Sequence, residues 1–107
     1  MSGQFAIIVD GASQQQQDAI TMMLRNEAPC CWHWFKDVWL VVDASRRWSA
    51  PELRDRVHEL VPGLGALVLQ MDGRTSWAGY GRPEIFEWLH SEWPRPAATR
   101  PTAPRAR

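Results

Sequence analysis

The chain has only two cysteines, Cys30 and Cys31, and they stand side by side. Adjacent residues on a strand point to opposite faces, so a bridge between these two needs strained geometry and no disulfide framework is expected. No C-x-x-C spacing offers a zinc site. No apolar run approaches the ~18 residues of a membrane span, and no charged-then-apolar leader opens the chain at Met1. A protein of the reducing cytoplasm, with no membrane contact, is the expectation. Complete catalytic and phosphate-binding motifs are missing as well. Gly79-Tyr80-Gly81 lacks the G-x-x-x-x-G-K signature and reads as a tight turn, with Trp77 and Tyr80 packed beneath it.

The residues present point to one domain and a tail. The 107 residues are 45% hydrophobic, enough for a real core in a chain small enough to gain from dimerisation. From Pro94 onward the sequence holds four arginines, four prolines and no acid, so residues 94–107 are expected to be a disordered Pro/Arg-rich tail. Residues 1–93 then carry 8 basic against 12 acidic side chains, a net charge of −4. A basic footprint for nucleic acid must be local or lie in the tail, whose arginines also suit an acidic protein partner.

Three apolar runs end on an aspartate: Ile7-Ile8-Val9-Asp10, Leu40-Val41-Val42-Asp43 and Val68-Leu69-Gln70-Met71-Asp72. Amphipathic segments come after the first two. Ser13 with Gln16 forms a capping box that starts a helix with Ile20, Met23, Leu24 and Ala28 as its apolar stripe, and Pro29 stops it. Cys31 to Asp43 reads as a hairpin turning at Lys36-Asp37, where the missing glycine points to a turn longer than two residues. A second capping box, Ser49 with Glu52, starts a helix with Leu53, Val57, Leu60 and Val61 inward and Pro62-Gly63 at its end. Ala66 to Asp72 forms the fourth strand. Pro83 opens a short last helix with Ile85, Trp88 and Leu89 facing inward.

The order is that of an α+β, ferredoxin-like β-α-β-β-α-β sandwich, with an antiparallel sheet of order 4-1-3-2 and an extra C-terminal helix. The first and third strands are expected to be central and parallel to one another. A hairpin turning at Lys36-Asp37 puts Cys31, His33, Phe35, Val38, Leu40 and Val42 on one face, and Trp32, Trp34, Trp39 and Val41 on the other. Both faces of the sheet are then apolar, although helices cover only one. The leading expectation is a sheet-to-sheet homodimer. The C-terminal helix folded across the face, or unpaired bases stacked on Trp32, Trp34 and Trp39, are the alternatives.

Parallel first and third strands would bring Asp10 and Asp43 to one edge, where their oxygens could hold Mg²⁺ or Mn²⁺. The competing reading is that each aspartate makes an Asx-turn that caps the next helix. Arg46 and Arg47, just after Asp43, are candidates for holding phosphate, against a solvated loop. His33, lone on its strand, reads as a hydrogen-bonded core residue before a pH-sensitive one. His58 and His90 have no partner at ligand spacing. No small-molecule cofactor is implied.

The strand ending in Asp10, Trp32-His33, Trp39-Leu40-Val41, the run Ser49-Ala50-Pro51-Glu52-Leu53-Arg54-Asp55, Leu67-Val68-Leu69 and Trp77-Ala78-Gly79-Tyr80-Gly81 together resemble the SinR-like family of small bacterial proteins. That family is itself similar to the ferredoxin-like CRISPR-associated endoribonuclease, the small adaptation subunit. The resemblance spans about residues 5–93. It implies a homodimeric ferredoxin-like fold and, from the CRISPR relatives, a first-strand aspartate at the position of Asp10 linked to metal-dependent phosphodiester cleavage or to nucleic-acid scaffolding. In a dimer, two Asp10 carboxylates would share one catalytic metal site. Two classes of function stand open, a dimeric module without chemistry that associates with nucleic acid and a metal-dependent nuclease using Asp10 at the dimer interface, with a protein-interaction module as a third.

Overall fold

The computed structural model describes residues 3–27, 30–43, 47–71 and 77–93. Strand β1 (Gln4–Val9) leads into helix α1 (Gln14–Glu27), and the hairpin of β2 (Cys30–Phe35) and β3 (Val38–Val42) comes next. Helix α2 (Ala50–Leu60), strand β4 (Ala66–Met71), a 3-10 turn (Pro83–Phe86) and helix α3 (Glu87–Ser91) complete the order. The fold is α+β, with one four-stranded sheet ordered β2-β3-β1-β4.

The local signals for the helices act as expected. Ser13 Oγ accepts from the Gln16 N–H while Gln16 Oε1 accepts from the Ser13 N–H, so two backbone donors at the start of α1 are satisfied reciprocally. Ser49 and Glu52 close the same box on α2, with Pro51 in the first turn where its missing N–H costs nothing. Ala28 and Pro29, expected to end α1, lie outside the described residues.

Every strand pair is antiparallel. The expectation of parallel first and third strands is therefore corrected. Helix α1 returns the chain so that β2 runs in the direction of β1, the tight hairpin reverses it, and β3, inserted between them, must oppose both. In register, Gln4 faces Val42 and Ile8 faces Val38 across β1 and β3, while Gln4 faces Met71 and Val9 faces Ala66 across β1 and β4.

The hairpin turn also differs from expectation. It holds just the two residues Lys36 and Asp37, with Phe35 paired to Val38, and the irregularity sits inside β2 instead. Trp32 pairs with Leu40, so the two residues His33 and Trp34 oppose Trp39 alone. This one-residue bulge shifts the facing of the β2 residues beyond it. Trp32 joins the face of Val38, Leu40 and Val42, whereas Trp39 and Val41 pack with the helices and Cys31 lies against them.

Two apolar layers result. The larger one joins Phe5, Ile7, Val9, Trp39 and Val41 from the sheet to Ile20, Met23 and Leu24 of α1 and to Leu53 and Val57 of α2. Burying each such side chain contributes about 1.5–3 kcal/mol. Trp39 is fully buried, and its indole N–H donates to Thr21 Oγ1 at 3.0 Å, so the polar end of the ring is matched as well. On the opposite face, Trp32, Leu89 and Trp93 form the centre of the second layer, with Leu40, Val42, Met71, Ile85 and Phe86 around them. The C-terminal segment thus covers part of the face expected to be a dimer seam. Trp32 Nε1 donates to the Ile85 carbonyl at 2.7 Å, which ties that segment to β2.

Candidate functional site

The sheet edge at the end of β1 gathers most of the polar side chains of interest. Val9 N–H donates to the Asp37 carbonyl at 2.9 Å, which draws the hairpin turn against the end of β1. From there the Asp37 carboxylate reaches over the loop after β1: Oδ2 accepts from Gly11 N–H and Oδ1 from Ala12 N–H, each at 3.0 Å. Gly11 has φ +80°, a left-handed backbone that glycine adopts without a Cβ clash, and this aims the two N–H groups at one carboxylate. Those two bonds favour the charged form, so the Asp37 carboxyl lies below the usual aspartate range. Neighbouring Lys36 and His33 add to the same effect.

Below this loop, Gln17 is buried in the first turns of α1 and donates Nε2 to the Ala12 carbonyl at 3.2 Å. Its Oε1 lies 3.1 Å from His33 Nε2, and His33 Nδ1 lies 3.0 Å from the Val38 carbonyl. The imidazole stacks on the Trp39 indole, with centroids 4.1 Å apart and planes within 4°. His33 is thus hydrogen-bonded, as the sequence suggested, but half-buried at the margin of the core and not within it. The sequence carries no local sign that Asp37 and Gln17 belong to the same cluster, because the contacts span 25 and 16 positions.

Asp10, the candidate catalytic residue, is exposed at the start of this loop, and its N–H donates to the Gly65 carbonyl at 3.2 Å. Asp43, its expected partner in a metal site, is at the other end of the sheet. Its N–H donates to the Gly3 carbonyl at 2.7 Å, one residue before β1 begins. From Gly3 to Asp10 the strand runs for about 23 Å at ~3.3 Å per residue. Oxygen ligands to Mg²⁺ sit ~2.1 Å from the ion, so Asp10 and Asp43 of one chain cannot share a cation. The antiparallel course of β3 is the reason. Asp43 is 2% exposed, and its Oδ2 accepts from Trp48 N–H at 3.0 Å, five residues on; this is not the helix-capping Asx-turn expected of it, since Ser49 caps α2. Gly3 allows the close approach, since a Cβ there would overlap the Asp43 carbonyl oxygen. Among the described residues, no three His, Cys, Asp or Glu side chains stand together as a metal-binding group.

Arg47, a candidate for holding phosphate, is exposed but already engaged on one side. Its Nη2 donates to the Glu27 carbonyl at 2.6 Å, at the C-terminal end of α1 where a cation complements the helix dipole. Arg56 of α2 takes the Glu27 carboxylate with both terminal nitrogens, and this pairing, with Arg47 nearby, lowers the Glu27 pKa. Arg46 and Asp72 lie outside the described residues, as does the 94–107 tail.

The three tryptophans expected on one face are distributed over three environments. Trp39 is fully buried on the helix side, Trp32 is 4% exposed under the C-terminal segment, and Trp34 is 47% exposed with Arg82 5.6 Å above its ring. They cannot form one stacking platform or one dimer seam. The open part of the second face lies at its other side. Ile8 of β1 is 37% exposed, and Leu67 and Leu69 of the edge strand β4 are 53% and 42% exposed.

Compared with protein-family models, curated proteins and solved structures, the chain matches none.

Proposed function

We propose that this chain is a ferredoxin-like, homodimeric module that works through association, with nucleic acid as the class of partner its arginine-rich tail suits. The observation that carries the reading is the uncovered strip Ile8, Leu67 and Leu69, side by side on one face of β1 and β4. Strand β4 is an edge of the sheet, and Ala66–Met71 contains no charge, no proline and no bulge. Soluble proteins ordinarily guard such an edge with those devices. A second copy meeting the strip about a two-fold axis buries leucine against leucine with no like charges opposed. The resemblance to the SinR-like family supports the same fold and the same dimeric habit. The nuclease reading, by contrast, has lost its paired carboxylates within the chain.

Light scattering at micromolar concentration tests the proposal. The wild type should have twice the 12.3 kDa of one chain. Leu67→Glu with Leu69→Glu should return it to one, without loss of fold, because both side chains are already about half exposed. A wild-type mass that stays at 12.3 kDa at high concentration would overturn the dimer. Binding to single-stranded nucleic acid should weaken steeply with salt, and removal of residues 94–107 should abolish it.

A further inference from the structure

Gln17 and His33 form a chain of two side chains between two backbone carbonyls, and the number of hydrogens available decides its state. One end is the Ala12 oxygen, which accepts from Gln17 Nε2. The other is the Val38 oxygen, 3.0 Å from His33 Nδ1. In the middle, Gln17 Oε1 faces His33 Nε2 at 3.1 Å. A carbonyl oxygen only accepts, and an amide presents one donor end and one acceptor end. With Gln17 donating to Ala12, both ring nitrogens of His33 must donate, and only the imidazolium has two N–H groups.

A neutral ring carries one. If the proton sits on Nδ1, the Nε2 lone pair meets Gln17 Oε1; if it sits on Nε2, the Nδ1 lone pair meets the Val38 oxygen. Turning the Gln17 amide over satisfies Nε2 but places Oε1 against the Ala12 oxygen. The conflict moves along the chain and is not removed. Gln17 is held in place by its burial, at 8% exposed, and the half-buried imidazole by stacking flat on Trp39.

The surroundings fit a change of charge here. From the hairpin turn, the Asp37 carboxylate feels the charge of the ring and of its own neighbour Lys36, and it is engaged by Gly11 and Ala12. Helix α1 presents the uncharged Gln17, while the next residue, Asp18, is exposed and accepts from Gln14. Strand β3 contributes only the Trp39 ring and the Val38 carbonyl.

We propose that His33 is a proton-operated latch on the loop after β1. As imidazolium it closes the chain from Val38 to Ala12; on losing its proton it turns the Gln17 amide over and frees the Ala12 carbonyl, loosening the loop that begins at Asp10. None of these residues lies on the Ile8–Leu69 strip, so the latch is independent of the dimer.

The experiment is an NMR titration of the full-length, ¹⁵N-labelled protein from about pH 5 to 8, where a histidine exchanges its proton. At the acid end both His33 ring nitrogens should read as N–H. The Gln17 side-chain amide and the Ala12 and Ser13 backbone amides should shift with the same midpoint as the ring, and the protection of the Gln17 amide, taken relative to the base-catalysed rise common to all amides, should fall at least ~10-fold across it. In Gln17→Met, which keeps the length and burial but breaks the chain, Ala12 and Ser13 should stop tracking the ring. If the ring titrates while Gln17 and Ala12 stay still in the wild type, the latch does not exist. The same holds if the Gln17→Met loop tracks the ring unchanged. The wild-type measurement decides the matter even if that variant fails to fold.

Discussion

Replacing Trp32 with phenylalanine tests how the C-terminal segment is held on the sheet. The substitution keeps an aromatic ring in the layer shared with Leu89 and Trp93 but deletes the indole N–H that donates to the Ile85 carbonyl at 2.7 Å. Loss of one such bond costs about 0.5–1.5 kcal/mol, and the carbonyl left half-buried adds to it, so about 1–2 kcal/mol is expected. If the segment opens as a unit while the helix-side core stays closed, the whole cost falls on that opening. Amide exchange in Glu87–Ser91 should then quicken about 5- to 30-fold, since ~1.4 kcal/mol is a factor of ten. Amides of α1 and α2, packed on the other face, should keep their rates. Trp32→Ala removes the ring as well, at about 3–5 kcal/mol, and should expose Trp88 and Trp93 to quenchers. Unchanged exchange in Glu87–Ser91 of Trp32→Phe, or an equal acceleration in α1, would refute a separately held segment anchored by this bond.

Two further perturbations separate roles that the sequence left together. Asp43→Ala strips the buried acceptor from Trp48 N–H and should cost about 1–3 kcal/mol in urea unfolding, while Asp10→Asn, at an exposed position, should stay within about 0.5 kcal/mol of wild type. Equal effects of the two would contradict the assignment of Asp43 to the turn. Glu27→Gln should lower stability by no more than about 1 kcal/mol at neutral pH, because the pair with Arg56 is about one-third exposed. The folded pKa of Glu27 lies below its ordinary value of 4.5, so its contribution is fully present above that value and disappears as the pH falls through the folded pKa. The difference between wild type and Glu27→Gln should therefore vanish at the acid end of a pH series of urea melts.

The residues explain which parts of this molecule could be read from the chain. Ser13 with Gln16 and Ser49 with Glu52 lie three apart, so their hydrogen bonds belong to the sequence itself, and both helices start where those pairs place them. Strand order came from the alternation of elements. The relative direction of β1 and β3 follows from the same order, against the parallel expectation: a helical return keeps direction, a hairpin reverses it, and Asp43 leaves at the edge opposite Asp10. The extra residue in β2 was not open to deduction, because it is settled by which aromatic rings find room. Trp32 packs under Leu89 and meets Phe35 edge-on at 5.0 Å, while His33 slides over Trp39. The Asp37–Gly11–Ala12 contact was equally hidden, since it depends on the fold having already brought turn and loop together.

That extra residue makes the length of β2, more than its composition, the carrier of information about layering. Shortening the strand by one between His33 and Trp34 would leave every side chain chemistry nearly intact, yet it would ask the rings on either side of the gap to trade compartments. Substitutions that keep an aromatic at 32, 34 or 39 keep the layering, whatever hydrogen bond they give up. A gap of one at this point is a change of reading frame written in three dimensions.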